Sequence, residues 1–160
     1  EDIRYLAQGK IWDNEDMHPI ANAYLYAAAR AQTLYTVVKP ALENKYMVIA
    51  DRCFLSSCVI QWQAQWVWME RIIKINAEVV RYILPDIIIY LDIDIDVALS
   101  RTGDPFWDKF EKRWKSFYES IIHGYEKCEK LEIIKDRFIR IDANGDEEKI
   151  FQTIKEKLNI

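Results

Sequence analysis

The sequence has little of several residue types, and each shortage excludes a class of protein. Only four glycines and four prolines occur among 160 residues, which argues against a loop-rich or low-complexity chain. No apolar run is long enough to cross a bilayer and no signal peptide is recognisable, so no membrane partner is predicted. Lysine and arginine number 22 against 26 aspartates and glutamates, so the basic patch of a nucleic-acid-binding protein is not expected. The remaining balance, 51% hydrophobic and 30% charged, predicts a single globular domain over 1–160.

Cysteine and histidine are also scarce. Cys53, Cys58 and Cys128 form neither a CxxC pair nor a ligand set with the two histidines. They are predicted to be small apolar residues of a protein in the reducing cytoplasm. His18 and His123 have no partners at catalytic spacing and are predicted to be structural.

Three segments are predicted to form strands. The apolar run over 46–50 lacks polar alternation, which predicts a strand covered on both faces. A second buried strand is predicted over 87–91 and a third strand over 137–141. Helical periodicity separates these segments, so the sequence predicts an α/β fold with a parallel β-sheet flanked by helices on both faces. Three strands are few for such a sheet and the chain does not open with methionine, so an incomplete N-terminus is expected.

An acid and a base, Asp51 and Arg52, follow the first predicted strand directly. Ligands of open α/β sheets bind at the carboxyl ends of the strands. A guanidinium there suits a phosphate, and a carboxylate suits a magnesium ion, bound directly or through water. A surface ion pair beside a sheet is the alternative, and these two residues alone leave both open.

Further polar residues have two interpretations each. Tyr26 and Arg30 lie one helical turn apart, so a ring that stacks on a flat ligand would have a cation nearby. The pair alone favours the other interpretation, a core tyrosine beside a solvated arginine. Ser56, Ser57 and Gln61 would bond a base edge, or the serines would cap a helix.

Arg101 precedes a loop that leads to the charged segment DKFE. One interpretation is a mobile lid over 102–111 that contains Asp108, Lys109 and Glu111. The alternative is a solvated loop, which this segment favours in isolation.

Five short motifs follow one another in a recognisable order. They are LYAAARAQT (25–33), VKPAL (38–42), VIADRCFLSSCVIQ (48–61), PDIIIYLD with ALSR (85–92 and 98–101), and DKFE (108–111). Together they resemble the thymidylate kinase family of P-loop nucleoside monophosphate kinases, across nearly the whole chain. The resemblance implies a P-loop fold, ATP-dependent phosphorylation of thymidine monophosphate to the diphosphate, ATP and Mg²⁺ as cofactors, and a cytoplasmic homodimer.

The resemblance also implies roles for residues around the acceptor nucleotide. Arg52 would bind the phosphate of thymidine monophosphate, and Arg30 would hold the same nucleotide. Tyr26 would stack on thymine, while Ser57 and Gln61 would line the base pocket.

The other implied roles concern magnesium, the sugar and ATP. Asp51 would help to place magnesium. Ile60 stands where the family usually has a tyrosine near the sugar, and Cys53 replaces an aromatic residue, so base and sugar selectivity stay open. Arg101 would lie against adenine, bordered by a loop over 143–146 that includes Ala143 and Asn144. The lid would contain Asp108, Lys109 and Glu111.

One family feature is absent from these residues. The G-x-x-x-x-G-K-[ST] loop, which holds the ATP phosphates, does not occur, and no arginine lies between Arg101 and Asp108. The resemblance therefore implies that the loop and the catalytic arginine belong to a preceding segment. Two other functions stay open, a deoxynucleoside kinase and a non-catalytic nucleotide-binding module without a P-loop.

Overall fold

The structure is a computed structural model that describes residues 3, 5, 17–65, 68–81, 83–102 and 107–160, with backbone alone at 63–65, 102 and 107–114. The helices are α1 (Pro19–Thr33), α2 (Lys39–Glu43), α3 (Phe54–Gln65), α4 (Met69–Val80), α5 (Ile95–Thr102), α6 (Trp107–Glu129) and α7 (Glu147–Leu158). The strands are β1 (Ile88–Asp92) and β2 (Phe138–Asp142), with a π-helical turn at Leu34–Val38 and a 3₁₀ turn at Lys135–Arg137. The chain divides into two compact units, Glu1–Leu84 and Pro85–Ile160.

The first unit is built from helices. His18 caps α1 by accepting a hydrogen bond from the Ile20 amide at 3.2 Å, and Pro19 supplies a preformed first turn. Helix α1 packs against α3 and α4. Its buried residues include Ala23 and Ala27, whose small side chains allow the helices to approach closely.

Pro40 does not end this helical region. A proline inside a helix lacks the amide proton and its ring crowds the carbonyl one turn earlier. The π-helical turn Leu34–Val38 precedes it, and the chain continues through Pro40 as α2. We attribute the wider turn to the need to accommodate the proline ring.

The predicted strand over 46–50 is wrong for the described structure. This segment has no strand assignment, and Tyr46, Met47 and Ile49 are 69%, 78% and 89% exposed. A strand exists only through its hydrogen-bonded neighbour, and none of the described residues pairs with this segment. Without a neighbouring strand, most side chains of the 46–50 segment therefore remain exposed.

The second unit contains the sheet. Strands β1 and β2 pair in parallel, with Ile88 opposite Phe138 and Asp92 opposite Asp142. The other two of the three predicted strands are confirmed, and each begins and ends one residue later than predicted. An α/β fold with a small parallel sheet is therefore established.

The core of the second unit lies beside β2. Fully buried residues there are Cys128, Ile134 and Ile141. Burial raises the pKa of the Cys128 thiol to about 12, so the thiol stays protonated at neutral pH and is chemically inert. Within the described part of the chain, no helix is long and apolar enough to span a membrane.

Candidate functional site

The first unit contains a cluster of polar side chains from three helices around Arg30 of α1. The Arg30 Nη2 atom donates to the Ser57 Oγ atom of α3 at 2.5 Å. The Nη1 atom donates to the Oδ1 atom of Asn76, which lies on α4. Burial lowers the pKa of the Arg30 guanidinium, because a charged group loses hydration there. The structure thus brings together two predicted residues, Arg30 and Ser57, and adds Asn76.

A second side-chain hydrogen bond, between the amides of Gln61 and Asn22, joins α3 to α1. Gln61 is one turn beyond Ser57 on α3 and is 2% exposed. Its Nε2 atom donates to the Asn22 Oδ1 atom at 3.4 Å. The Gln61 Oε1 atom has no hydrogen-bond partner among the described residues. A buried acceptor without a partner is costly, so Gln61 is suited to receive an N–H group from a ligand.

Two further predicted acceptor-site residues, Tyr26 and Ile60, are less deeply buried than Gln61. Tyr26 lies one turn before Arg30 on α1 and is half-buried. Ile60 precedes Gln61 and is 36% exposed. An apolar side chain and an aromatic ring at these positions provide surface for a flat ligand but no charge.

Asp51 and Arg52 lie just before α3, and both are exposed. They form no ion pair with each other, and no hydrogen bond joins either to the Arg30 cluster in the described part of the chain. The surface ion pair considered from the sequence is therefore not formed. Arg52 has a φ of 64°, in the left-handed region that non-glycine residues rarely adopt.

The second unit holds a separate arrangement around Arg101 at the end of α5. Its Nη1 atom donates to the Ala143 carbonyl at 2.8 Å, and its Nη2 atom donates to the carbonyls of Asn144 at 3.0 Å and Gly145 at 2.6 Å. The planar guanidinium is therefore held by three carbonyls of the loop that follows β2. The structure brings together Arg101, Ala143 and Asn144, three residues that the resemblance assigned to one site.

Side-chain hydrogen bonds of Asp142 and Asn144 also stabilise the loop that follows β2. Asp142 Oδ1 accepts from the Asn144 backbone amide and from its Nδ2 atom, both at 2.9 Å. The Asn144 Oδ1 atom accepts from the Asp94 amide, which follows β1, at 2.8 Å. The loop is thus tied to the ends of both strands, at the edge where ligands of parallel sheets bind.

Comparison with known proteins decides the family. The family model described as thymidylate kinase matches residues 1–154. The chain belongs to the thymidylate kinase family. It is 32% identical over 146 residues to a thymidylate kinase of Ureaplasma parvum serovar 3 (strain ATCC 27815 / 27 / NCTC 11736), covering 90% of this chain and 64% of that protein.

Two other thymidylate kinases give similar matches. That of Shouchella clausii (strain KSM-K16) is 30% identical over 161 residues, covering 99% of this chain and 72% of the relative. That of Thermosipho africanus (strain TCF52B) is 32% identical over 143 residues, covering 89% and 70%. The chain spans from 64% to 72% of the length of these relatives.

Two of the motifs that resemble the thymidylate kinase family meet in the structure. The bond from Arg30 to Ser57 joins the 25–33 segment to the 48–61 segment. The bonds from Arg101 likewise join the ALSR segment to the loop after β2. Two groups of predicted site residues are therefore assembled, each within its own unit.

The lid and the magnesium site expected for this member of the thymidylate kinase family stay predictions. The backbone of Asp108, Lys109 and Glu111 lies in α6, but their side chains and residues 103–106 lie outside the described residues. As to the metal, the described residues contain no group of three or more histidines, cysteines and acidic residues that could hold a metal ion. Asp51 is a single exposed carboxylate, which suits magnesium, since that ion keeps most of its waters and takes few protein ligands.

The sequence analysis missed Asn22 and Asn76. A signal existed for Asn22, because Asn22, Tyr26 and Arg30 recur at single-turn spacing and form a polar stripe on α1. A signal also existed for Asn76, which interrupts the buried stripe of α4 between Ile72 and Val80. A polar residue in an apolar stripe indicates a buried polar partner.

Proposed function

We propose that the protein transfers the γ-phosphoryl group of ATP to thymidine monophosphate and releases thymidine diphosphate. The observation that carries this proposal is the Arg30 cluster, found in a chain of the thymidylate kinase family. Among the described residues, the hydrogen bonds of this half-buried cation go to neutral oxygens and no carboxylate pairs with it, so its charge is left for a ligand. Arg30 and Arg52 together favour an acceptor that already carries a phosphate over an unphosphorylated nucleoside.

The acceptor base would lie against α1 and α3. The unpartnered Gln61 Oε1 atom is suited to accept from a base N–H group, and Ser57 lies one turn away on the same face. The Tyr26 ring would stack on the base, and Ile60 would contact the sugar. This arrangement would orient the acceptor through hydrogen bonds and ring contacts, so that a phosphate oxygen of thymidine monophosphate is presented for transfer.

Charge stabilisation is assigned to the residues just before α3. The exposed Arg52 guanidinium would bind phosphate oxygens in a forked geometry. Asp51 would hold Mg²⁺ directly or through water, and the ion when bound neutralises phosphate charge. Catalysis of phosphoryl transfer consists mainly of positioning and such charge stabilisation, which matches exposed residues free to engage a ligand.

ATP would bind in the second unit. Arg101, fixed by three loop carbonyls, presents a flat guanidinium face on which adenine would stack, bordered by Ala143 and Asn144. The lid over 102–111, with Asp108, Lys109 and Glu111, would cover the phosphates. A single domain with a larger parallel sheet flanked by helices on both faces, a homodimer and a cytoplasmic location complete the proposal.

The proposal is tested by a coupled ADP-release assay on the full-length natural protein. ATP and Mg²⁺ are supplied with thymidine monophosphate, uridine monophosphate or thymidine in parallel. We expect turnover with thymidine monophosphate alone. Turnover on thymidine would assign the protein to the nucleoside kinases, and binding of thymidine monophosphate without turnover with any acceptor would indicate a non-catalytic module.

Replacement of Arg101 tests the ATP site separately. In the Arg101→Ala variant we expect KM for ATP to rise about tenfold, because the loop over 143–145 loses three charge-assisted hydrogen bonds. KM for thymidine monophosphate should stay unchanged. Initial rates with each substrate varied in turn measure both constants. An Arg101→Lys control keeps the charge without the fork, and an unaltered KM for ATP in both variants would contradict this assignment.

A further inference from the structure

Arg30 is an unusual cation because its partners are neutral. The two nitrogens that it uses donate to an amide oxygen on α4 and a hydroxyl on α3, and no carboxylate pairs with it among the described residues. A guanidinium has five N–H donors in a fixed plane. Two neutral acceptors therefore define the orientation of that plane and leave donors and net charge for a ligand.

Asn76 is the more deeply buried of these two acceptors. It is 1% exposed, and its Nδ2 atom donates to the Ile72 carbonyl one turn earlier at 2.8 Å. This bond uses the amide NH₂ group and turns the Oδ1 atom toward Arg30. The amide therefore has one orientation in which both of its ends are satisfied.

Asn76 is a polar residue in an otherwise apolar buried stripe of α4. Ile72, Asn76 and Val80 are the buried residues of this helix, at single-turn spacing. Asparagine is a poor helix former, and an apolar residue would continue the stripe with better packing. The polar residue lies where its Oδ1 atom meets the Arg30 guanidinium.

We propose that Asn76 is a positioning residue that holds Arg30 in its ligand-binding orientation and so sets the affinity for thymidine monophosphate. It acts through Arg30 and need not touch the nucleotide. The inference rests on the proposed function, since the nucleotide is the ligand that Arg30 would hold.

The test is a double-mutant cycle in the full-length protein. Asn76→Leu removes the acceptor while keeping similar volume, and Arg30→Gln removes the cation. We expect Asn76→Leu to raise the Kd and KM for thymidine monophosphate about tenfold, with kcat for saturated enzyme and KM for ATP nearly unchanged. On the Arg30→Gln background, Asn76→Leu should add no further loss of affinity, because its effect passes through Arg30. Calorimetric titration and initial rates measure these values.

A control separates positioning from simple destabilisation. Val80→Ala alters the same buried stripe one turn away from Asn76 and lowers the melting temperature without touching Arg30. It should leave the affinity for thymidine monophosphate unchanged. Equal losses on the wild-type and Arg30→Gln backgrounds would overturn the inference, as would unchanged affinity in Asn76→Leu. If the wild-type protein neither binds nor phosphorylates thymidine monophosphate, the proposed function fails first and the inference falls with it.

Discussion

Replacing Arg52 with alanine is expected to lower kcat/KM for thymidine monophosphate by about a thousandfold. An arginine that stabilises charge on a transferring phosphoryl group, or clamps the acceptor phosphate beside it, contributes on that scale. Arg52 is exposed and makes no ion pair among the described residues, so its loss leaves no buried charge behind. Steady-state rates with both substrates varied measure the effect.

The backbone conformation of Arg52 allows a second variant, Arg52→Gly, to be compared with Arg52→Ala. A left-handed conformation costs an L-residue roughly 1–2 kcal/mol, whereas glycine adopts it freely. With a φ of 64° at this position, the Arg52→Gly variant should be about 1 kcal/mol more stable to unfolding than the Arg52→Ala variant. Both variants should be equally inactive. Denaturant unfolding of the two proteins, compared with their rates, separates the side chain from its backbone.

Two outcomes would contradict the assignment of Arg52. Near-normal activity in both variants would show that the side chain is not needed for transfer. Activity retained in the glycine variant alone would show that the loss in the alanine variant reflects the backbone. A residue kept in an unfavourable conformation at an exposed position is typical of a functional site, because function rather than stability selects it.

The strands show how far local pattern determines structure. The runs over 87–91 and 137–141 were predicted to within one residue because each finds its partner within the described chain. The run over 46–50 is also rich in strand-forming residues, yet it forms no strand and Ile49 is 89% exposed. Strand formation depends on a neighbouring strand, and a single segment carries no information about whether that neighbour is present.

The site illustrates a similar limit. The family resemblance assigned Arg30 and Ser57 to one site and Arg101 and Asn144 to another, and the structure brings the members of each pair together. Their hydrogen-bond partners could not be derived in the same way. Contacts such as the one from Arg30 to Asn76 join distant segments, and the pairing depends on how three helices pack. The polar interruption of the α4 stripe indicated a buried partner for Asn76 without identifying it.

The Asp51→Asn variant is expected to weaken the apparent affinity for Mg²⁺ by about 10- to 100-fold, the range typical when a residue supporting a metal is replaced. The substitution removes one negative charge but keeps the shape of the side chain, so the fold should be unaffected. Magnesium binds through few carboxylates together with water and substrate phosphates, so loss of one carboxylate has a large effect. Initial rates measured against free Mg²⁺ at saturating substrates give the half-saturating concentration.

The matched control is Asp136→Asn, which removes an equally exposed carboxylate from the 3₁₀ turn of the second unit. This control should keep the wild-type Mg²⁺ dependence, because it changes net charge by the same amount at a position without an assigned role. If Asp51→Asn raises the half-saturating concentration and excess Mg²⁺ restores most of kcat, Asp51 acts through the ion. A loss of kcat that no Mg²⁺ concentration restores would instead make Asp51 a partner of the nucleotide or of Arg52. Equal responses of the two variants would remove Asp51 from the site.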